Sequence, residues 1–339
     1  MIFLILVAIS LANARPQAAD IGNSGSTNNL HGDILKLSSA DEIFNDALPE
    51  ENLDHQPAFW EGDIILTDFQ KQFYSKMSSE LTYKKALIKD NRKLWPDKTV
   101  PYIFASEIDA EGKEIVDKAI THWKQHSCMD FVPRTTQKDY VEFVFLGGCA
   151  SYVGKIGGKQ IISIGSLSSK CKVGNLIHEL GHCIGFFHEQ SRPDRKRYVK
   201  VIYDNIKPGY QRNFMRMNSH EVDSRNVPYD YGSIMHYPKN FFSKTPDAVT
   251  LQILKDTHGT YVGQRIALSD LDILQAKVLY SCTETPTRTH VPRNGKCEDK
   301  HDKETCDFLK GKGYCKRFSQ SMHKICSSTC GICKKPAHN

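Results

Sequence analysis

Residues 178–188 read HELGHCIGFFH, three histidines and a glutamate within eleven residues. On an α-helix His178 and His182 lie four residues apart, about 40° around the axis and about 6 Å along it, so both imidazoles fall on one face and can share one ion. Glu179 follows the first histidine, where its carboxylate reaches a water on that ion without ligating it. Gly185 then breaks the helix and lets the chain reverse, bringing His188 in from another direction. The fold must therefore wrap a helix, a sharp turn and a returning segment around one point. Three imidazole nitrogens leave a further position open to water, the pattern of a catalytic rather than a structural zinc site. The shorter H-E-x-x-H core also recurs on exposed helices that bind nothing; Gly185 and His188 at the extended spacing argue for the metal.

The chain around this stretch is 339 residues long and 40% hydrophobic, enough for a filled core and more than one domain. Its first residues, MIFLILVAISLANA, form a short apolar run ending in small residues, which predicts a signal peptide over 1–14 cut after Ala14. The run is well short of the roughly 20 residues that cross a bilayer, so no membrane span is expected. The chain is expected to be secreted and extracellular, where its 11 cysteines can pair. Residues 15–85 are polar and cysteine-free, and they end at the basic pair Lys84-Lys85.

From Ala86 the composition changes. LWPDKTVPYIFA reads as a turn feeding a strand, and EIDAEGKEIVDKAITHWKQHS as an amphipathic helix with Ile115, Ala119, Ile120 and Trp123 inward. YVEFVFL reads as a buried strand. These elements predict a domain of mixed helix and strand running to about Cys282. TETPTRTHVPRNGK, residues 283–296, reads as a linker. Beyond it stand Cys297, Cys306, Cys315, Cys326, Cys330 and Cys333, in a segment too small to hold itself without disulfides. Residues 283–339 carry 12 Lys/Arg against 6 Asp/Glu, which accounts for the whole net charge of +6. A basic tail on a neutral body argues against nucleic acid as a partner.

HELGHCIGFFHEQSRPDR resembles the zinc signature of the astacin family of metzincin peptidases. The likeness extends to ALIKDNRKLWPDKTVPYIF, YDYGSIMHY, VGQRIALSDLDI and LYSC, and so covers residues 86–282. It implies an α+β, two-lobed metzincin domain with a zinc cleft and one Zn2+ per chain. His178, His182 and His188 would be the ligands, and Glu179 would polarise the attacking water and shuttle its proton. Met235 would form the turn beneath the metal. Tyr237 would be a fifth ligand in the substrate-free enzyme, swinging off to bond the oxyanion when a peptide binds. The expected activity is zinc-dependent endopeptide hydrolysis, with proteins or peptides as substrates. Lys239 is the candidate cation for an acidic residue just after the scissile bond.

The same resemblance implies disulfides Cys128–Cys282 and Cys149–Cys171, leaving Cys183 as a buried thiol. AFWEGD, residues 58–63, is similar to the family's propeptide element, so 15–85 would be a propeptide whose Asp63 occupies the metal in place of water. Ala86 aligns with the family's mature N-terminus. An activating protease cutting after Lys85 would free an ammonium able to reach Glu189. The tail, 297–333, resembles the ShKT module, which implies Cys297–Cys333, Cys306–Cys326 and Cys315–Cys330. Toxins of that family block channels with a Lys-Tyr pair where this chain has Gln320 and Ser321, so binding to substrate or extracellular matrix is the better expectation. The alternative, from another class, is a catalytically inactive secreted protein that binds through its tail.

Overall fold

The computed structural model describes residues 59–68, 70–72, 90–217, 224–257, 259–283 and 297–333. Expectations for the signal peptide, for Lys84-Lys85 and Ala86 and for the linker past Thr283 lie outside them. All described residues fall within one compact unit, 48–339.

A five-stranded sheet forms the first lobe, built from β1 (Thr99–Phe104), β2 (Asp130–Pro133), β3 (Tyr140–Val144), β4 (Cys149–Ser151) and β5 (Lys159–Ile164) in the order β2-β1-β3-β5-β4. β1 runs parallel to β2 and β3, and β3 parallel to β5; the edge strand β4 is antiparallel to β5. Parallel neighbours need crossovers, and α1 (Ala110–His126) supplies the one from β1 to β2. Asp109 caps α1, accepting the Gly112 N–H at 2.8 Å. Its inward face is Val116, Ala119, Ile120 and Trp123; the last three are the expected positions, while Ile115 is only half-buried and Val116 takes its place.

Against α1 packs α2 (Val173–Ile184), buried along nearly its whole length, with the Trp123 indole donating to the Ile177 carbonyl at 2.9 Å. Beyond α2 the second lobe has little regular structure. It contains β6 (Val199–Val201) paired with β7 (Leu251–Ile253), and an aromatic core of Phe214, Tyr229, Tyr237 and Phe242. α3 (Asp270–Leu279) closes the domain with a capping box between Ser269 and Asp272. Disulfides join Cys128 to Cys282 and Cys149 to Cys171.

The tail folds as α4 (Lys303–Gly311), α5 (Tyr314–Arg317) and α6 (Ser319–Ile325), held by Cys297–Cys333, Cys306–Cys326 and Cys315–Cys330. Disulfides are not its only support. Leu309, Tyr314, Phe318, Met322 and Ile325 share one apolar cluster with Val227, Leu271 and Leu274 of the preceding domain. Polar contacts rim this junction: Tyr314 donates to the Arg225 carbonyl at 2.8 Å, and Lys277 to Ser321 Oγ at 3.1 Å. Ser321, at the position of the toxin pair, is therefore buried against α3.

No helix of the described residues is long and apolar enough to cross a membrane.

Candidate metal centre

Two features of the local sequence aim the histidines. α2 carries His178 and His182 on one face, and Gly185 ends it in a left-handed conformation, φ 115°, that a side chain would resist. The chain reverses there and returns His188. The Nδ1 of His178 then donates to the Ile234 carbonyl at 2.8 Å, and that of His182 to the Phe186 carbonyl at 2.8 Å. His188 Nδ1 faces a carboxylate instead, Glu61 Oε2 at 2.7 Å. With every Nδ1 facing an acceptor of its own, Nε2 is the atom each ring has left to offer a metal once it gives up any proton.

Those nitrogens converge. His188 Nε2 lies 3.3 Å from His178 Nε2. Asp63 Oδ2 stands 3.1 Å from His178 Nε2 and 3.2 Å from His188 Nε2, with Oδ1 3.5 Å from His182 Nε2. All four candidate ligand atoms lie within 4.8 Å of one another. Asp63 Oδ1, His182 Nε2 and Glu179 Oε2 are buried without a hydrogen-bond partner. Buried acceptors are costly unless a positive group satisfies them. Three imidazoles and a carboxylate fit Zn2+, which takes nitrogen and oxygen ligands in a four-coordinate site.

The electrostatics agree. Burial raises the Asp63 carboxyl, but charge on His188 and bonds from all three histidines hold it well below its usual value. Burial lowers His188, yet Asp63 and Glu61 on either side of the ring bring it up to about 9. The site thus demands positive charge even before a metal arrives. Glu179 behaves oppositely: burial and the neighbouring Asp63 push its carboxyl well above normal, Arg265 only partly offsetting them. A carboxylate so destabilised is a strong proton acceptor.

Met235 is buried below α2, and a Cβ on Gly181 would meet its Sδ at 2.8 Å, so glycine there permits the approach. Tyr237 is fully buried; its hydroxyl donates to the Glu61 carbonyl and its ring centroid lies 4.6 Å from that of His188. Glu189 Oε1 takes Arg192 at 2.9 Å and the Asp230 N–H at 2.8 Å, and burial lifts its carboxyl to about 8. Cys183 is an unpaired, buried thiol outside the ligand cluster. Lys239 is exposed, and its carbonyl holds the Thr250 and Leu251 N–H groups.

Three contributors carry no local signal in the sequence. Glu61 is the first. The second is Asp272, whose carboxylate accepts Ser233 Oγ at 2.6 Å and the Ile234 N–H at 2.9 Å, fixing the turn that presents the Ile234 carbonyl to His178. The third is Arg265, which donates to the His236 carbonyl at 3.0 Å and whose charge acts on Asp63, Glu179 and Tyr237. Composition could not reveal any of them, because each meets the site only through tertiary contacts.

The segment carrying Asp63 lies along the sheet edge. Ile64 bridges Ser151 of β4 in parallel, with the Ile65 N–H to the Ser151 carbonyl at 2.8 Å and the Ser151 N–H to the Asp63 carbonyl at 3.0 Å.

Comparison with known proteins gives two family matches: Astacin (Peptidase family M12A) over residues 87–281, and ShK domain-like over 296–333. Nematocyst expressed protein 6 of Nematostella vectensis is 40% identical over 241 residues, 71% of this chain and 83% of that protein. Zinc metalloproteinase nas-39 of Caenorhabditis elegans is 41% identical over 228 residues, covering 66% of this chain but 24% of the relative. Bone morphogenetic protein 1 of Xenopus laevis is 41% identical over 203 residues, 59% of this chain and 28% of its own length. A solved structure, high choriolytic enzyme 1, a hatching enzyme zinc-protease from Oryzias latipes, matches with TM-score 0.51 and 34% identity over 60% of this chain and 96% of that one.

Proposed function

Because the chain belongs to the astacin family of peptidases and is a zinc metalloendopeptidase, we propose that it is a secreted zymogen. In this reading His178, His182 and His188 hold the zinc, Glu179 handles the proton, and Asp63 keeps the uncut chain silent. The observation that carries this reading is the convergence of three histidine Nε2 atoms and Asp63 on one buried point.

Zinc, when bound, supplies Lewis-acid polarisation of the scissile carbonyl and of the attacking water. The remaining work falls to side chains. Glu179 takes the proton of the attacking water, for which its buried, partnerless Oε2 is suited, and passes it to the leaving amine. Tyr237, once released by Glu61, has a hydroxyl free to ligate in the empty enzyme or to donate to the oxyanion in the transition state. Asp272 and the Ile234 carbonyl keep His178 in one tautomer and orientation. When the segment bearing Asp63 leaves, β4 regains an open edge on which a substrate strand can pair.

Activation requires a protease that cuts after Lys85. The new Ala86 ammonium would then find in Glu189 a buried carboxylate whose charge Arg192 only partly offsets. Arg265, set against the centre, is better placed than exposed Lys239 to meet an acidic substrate side chain. The tail's exposed lysines, among them Lys312 and Lys316, are offered to substrate or matrix. The inactive-scaffold alternative gains no support, since Glu179 and all three histidines converge.

The test compares casein digestion by the chain starting at Ala86, with and without a zinc chelator, and by its Glu179→Ala variant. Digestion only by the untreated parent is expected. Equal behaviour of all three would refute the reading.

A further inference from the structure

The three histidines are not supported alike. His178 and His182 give their Nδ1 protons to carbonyls of the peptidase domain itself, Ile234 and Phe186, which remain after trimming. His188 gives its own to Glu61, two residues from Asp63 and on the removable side of Lys85. The Glu61 side chain is 1% exposed, and its second oxygen accepts Ser191 Oγ at 3.0 Å. Its carbonyl accepts the Tyr237 hydroxyl. Its backbone sits at φ 51°, a left-handed conformation that costs a residue with a Cβ roughly 1–2 kcal/mol. A buried carboxylate in a strained turn is retained when its contacts outweigh both costs.

We propose that Glu61 is a metal-retaining residue of the zymogen: its carboxylate completes a carboxylate–His188–zinc chain that exists only while the pro-segment is attached. A carboxylate on the far nitrogen fixes the tautomer, holds the ring and raises its basicity toward the metal. The pro-segment therefore acts on the centre twice, through Asp63 as a ligand and through Glu61 behind a ligand. Cleavage removes both, converting a tight, closed site into a looser one with an open position. The inference rests on the assignment of His178, His182 and His188 as zinc ligands.

The test measures zinc release to a chromophoric chelator from four full-length chains, all carrying Glu179→Gln to prevent self-cleavage: the parent, Glu61→Gln, Asp63→Asn and the double variant. Hydrogen exchange at the Ser151 and Ile65 amides reports whether the segment stays seated on β4. Glu61→Gln is expected to speed release about 10- to 100-fold, and to do so again in the Asp63→Asn background, with both amides still protected. Three results overturn the proposal alone: release at the parental rate, acceleration that vanishes once Asp63 is gone, or amides that lose protection as release accelerates. The last two would make Glu61 merely an anchor for Asp63. A parent without stoichiometric zinc would remove the ligand set itself, and the proposal with it.

Discussion

Leu274→Ala separates a docked tail from a tethered one. Leu274 is fully buried, in a cluster whose other members are mostly tail residues, including Leu309, Phe318 and Met322. Truncating a leucine in such a place costs about 2–5 kcal/mol, transfer and cavity together. In a chain ending at Thr283 the tail half of the cluster is absent, and the side chain is expected to be uncovered on that side. There the same change trims exposed surface and introduces a better helix former, so the cost should fall below about 0.5 kcal/mol. The difference, at least about 1.5 kcal/mol, is the coupling between the tail and this one side chain. Urea unfolding of the oxidised, zinc-loaded chain starting at Ala86, with and without residues 284–339 and with and without the substitution, closes the cycle. Equal costs with and without the tail would refute the shared core and restore an independent module on a linker.

Tyr237→Phe in the trimmed enzyme should lower kcat about 10²- to 10³-fold, as loss of one oxyanion donor does, while zinc content stays stoichiometric; an unchanged kcat would remove the hydroxyl from the reaction. His122 accepts the Leu268 N–H on Nε2 at 3.1 Å, and burial, then His126, lowers it to about 4. Since its folded pKa lies below its unfolded one, the unfolded chain takes up the proton first, and stability from this residue is lost as pH falls from about 6.5 towards 4. His122→Gln should flatten that part of the stability profile, and an unaltered slope would exclude His122 as its source. Burial pushes the Cys183 thiol up to about 12, so iodoacetamide should leave it unmodified in the native chain at neutral pH and alkylate it once unfolded, as mass spectrometry would show.

What the sequence discloses about this site is what is encoded locally. Helical spacing places His178 beside His182, and a glycine at the right distance returns His188, so the ligand set is readable from eleven residues. Asp63 is readable only by resemblance, and Glu61 not at all, although it stands two residues away. A ligand must be one of a few residue types, whereas a partner for His188 Nδ1 could be any acceptor; for the other two histidines it is a backbone carbonyl, which leaves no mark on composition. Arg265 and Asp272 lie within the quoted VGQRIALSDLDI, yet their chemistry depends on a tertiary approach to residues 230–236.

The tail raises the same question at the scale of a domain. Its composition reads as a charged, disulfide-held module after a linker, and its cysteines account for most of that reading. The contrary signal lies in α3. Leu271, Leu274 and Val278 fall at i, i+3 and i+7, while Ile273, Ala276 and Leu279 make a second stripe on the opposite side. A surface helix needs one apolar face; a helix with two is packed between two bodies. One stripe of α3 closes the peptidase core and the other receives the tail, while Asp272 at its N-terminus secures the turn behind His178. The helix that docks the tail is thus also the helix that braces the metal centre. The shared element places the tail within the architecture that holds the site, where a linker reading would leave it a passenger.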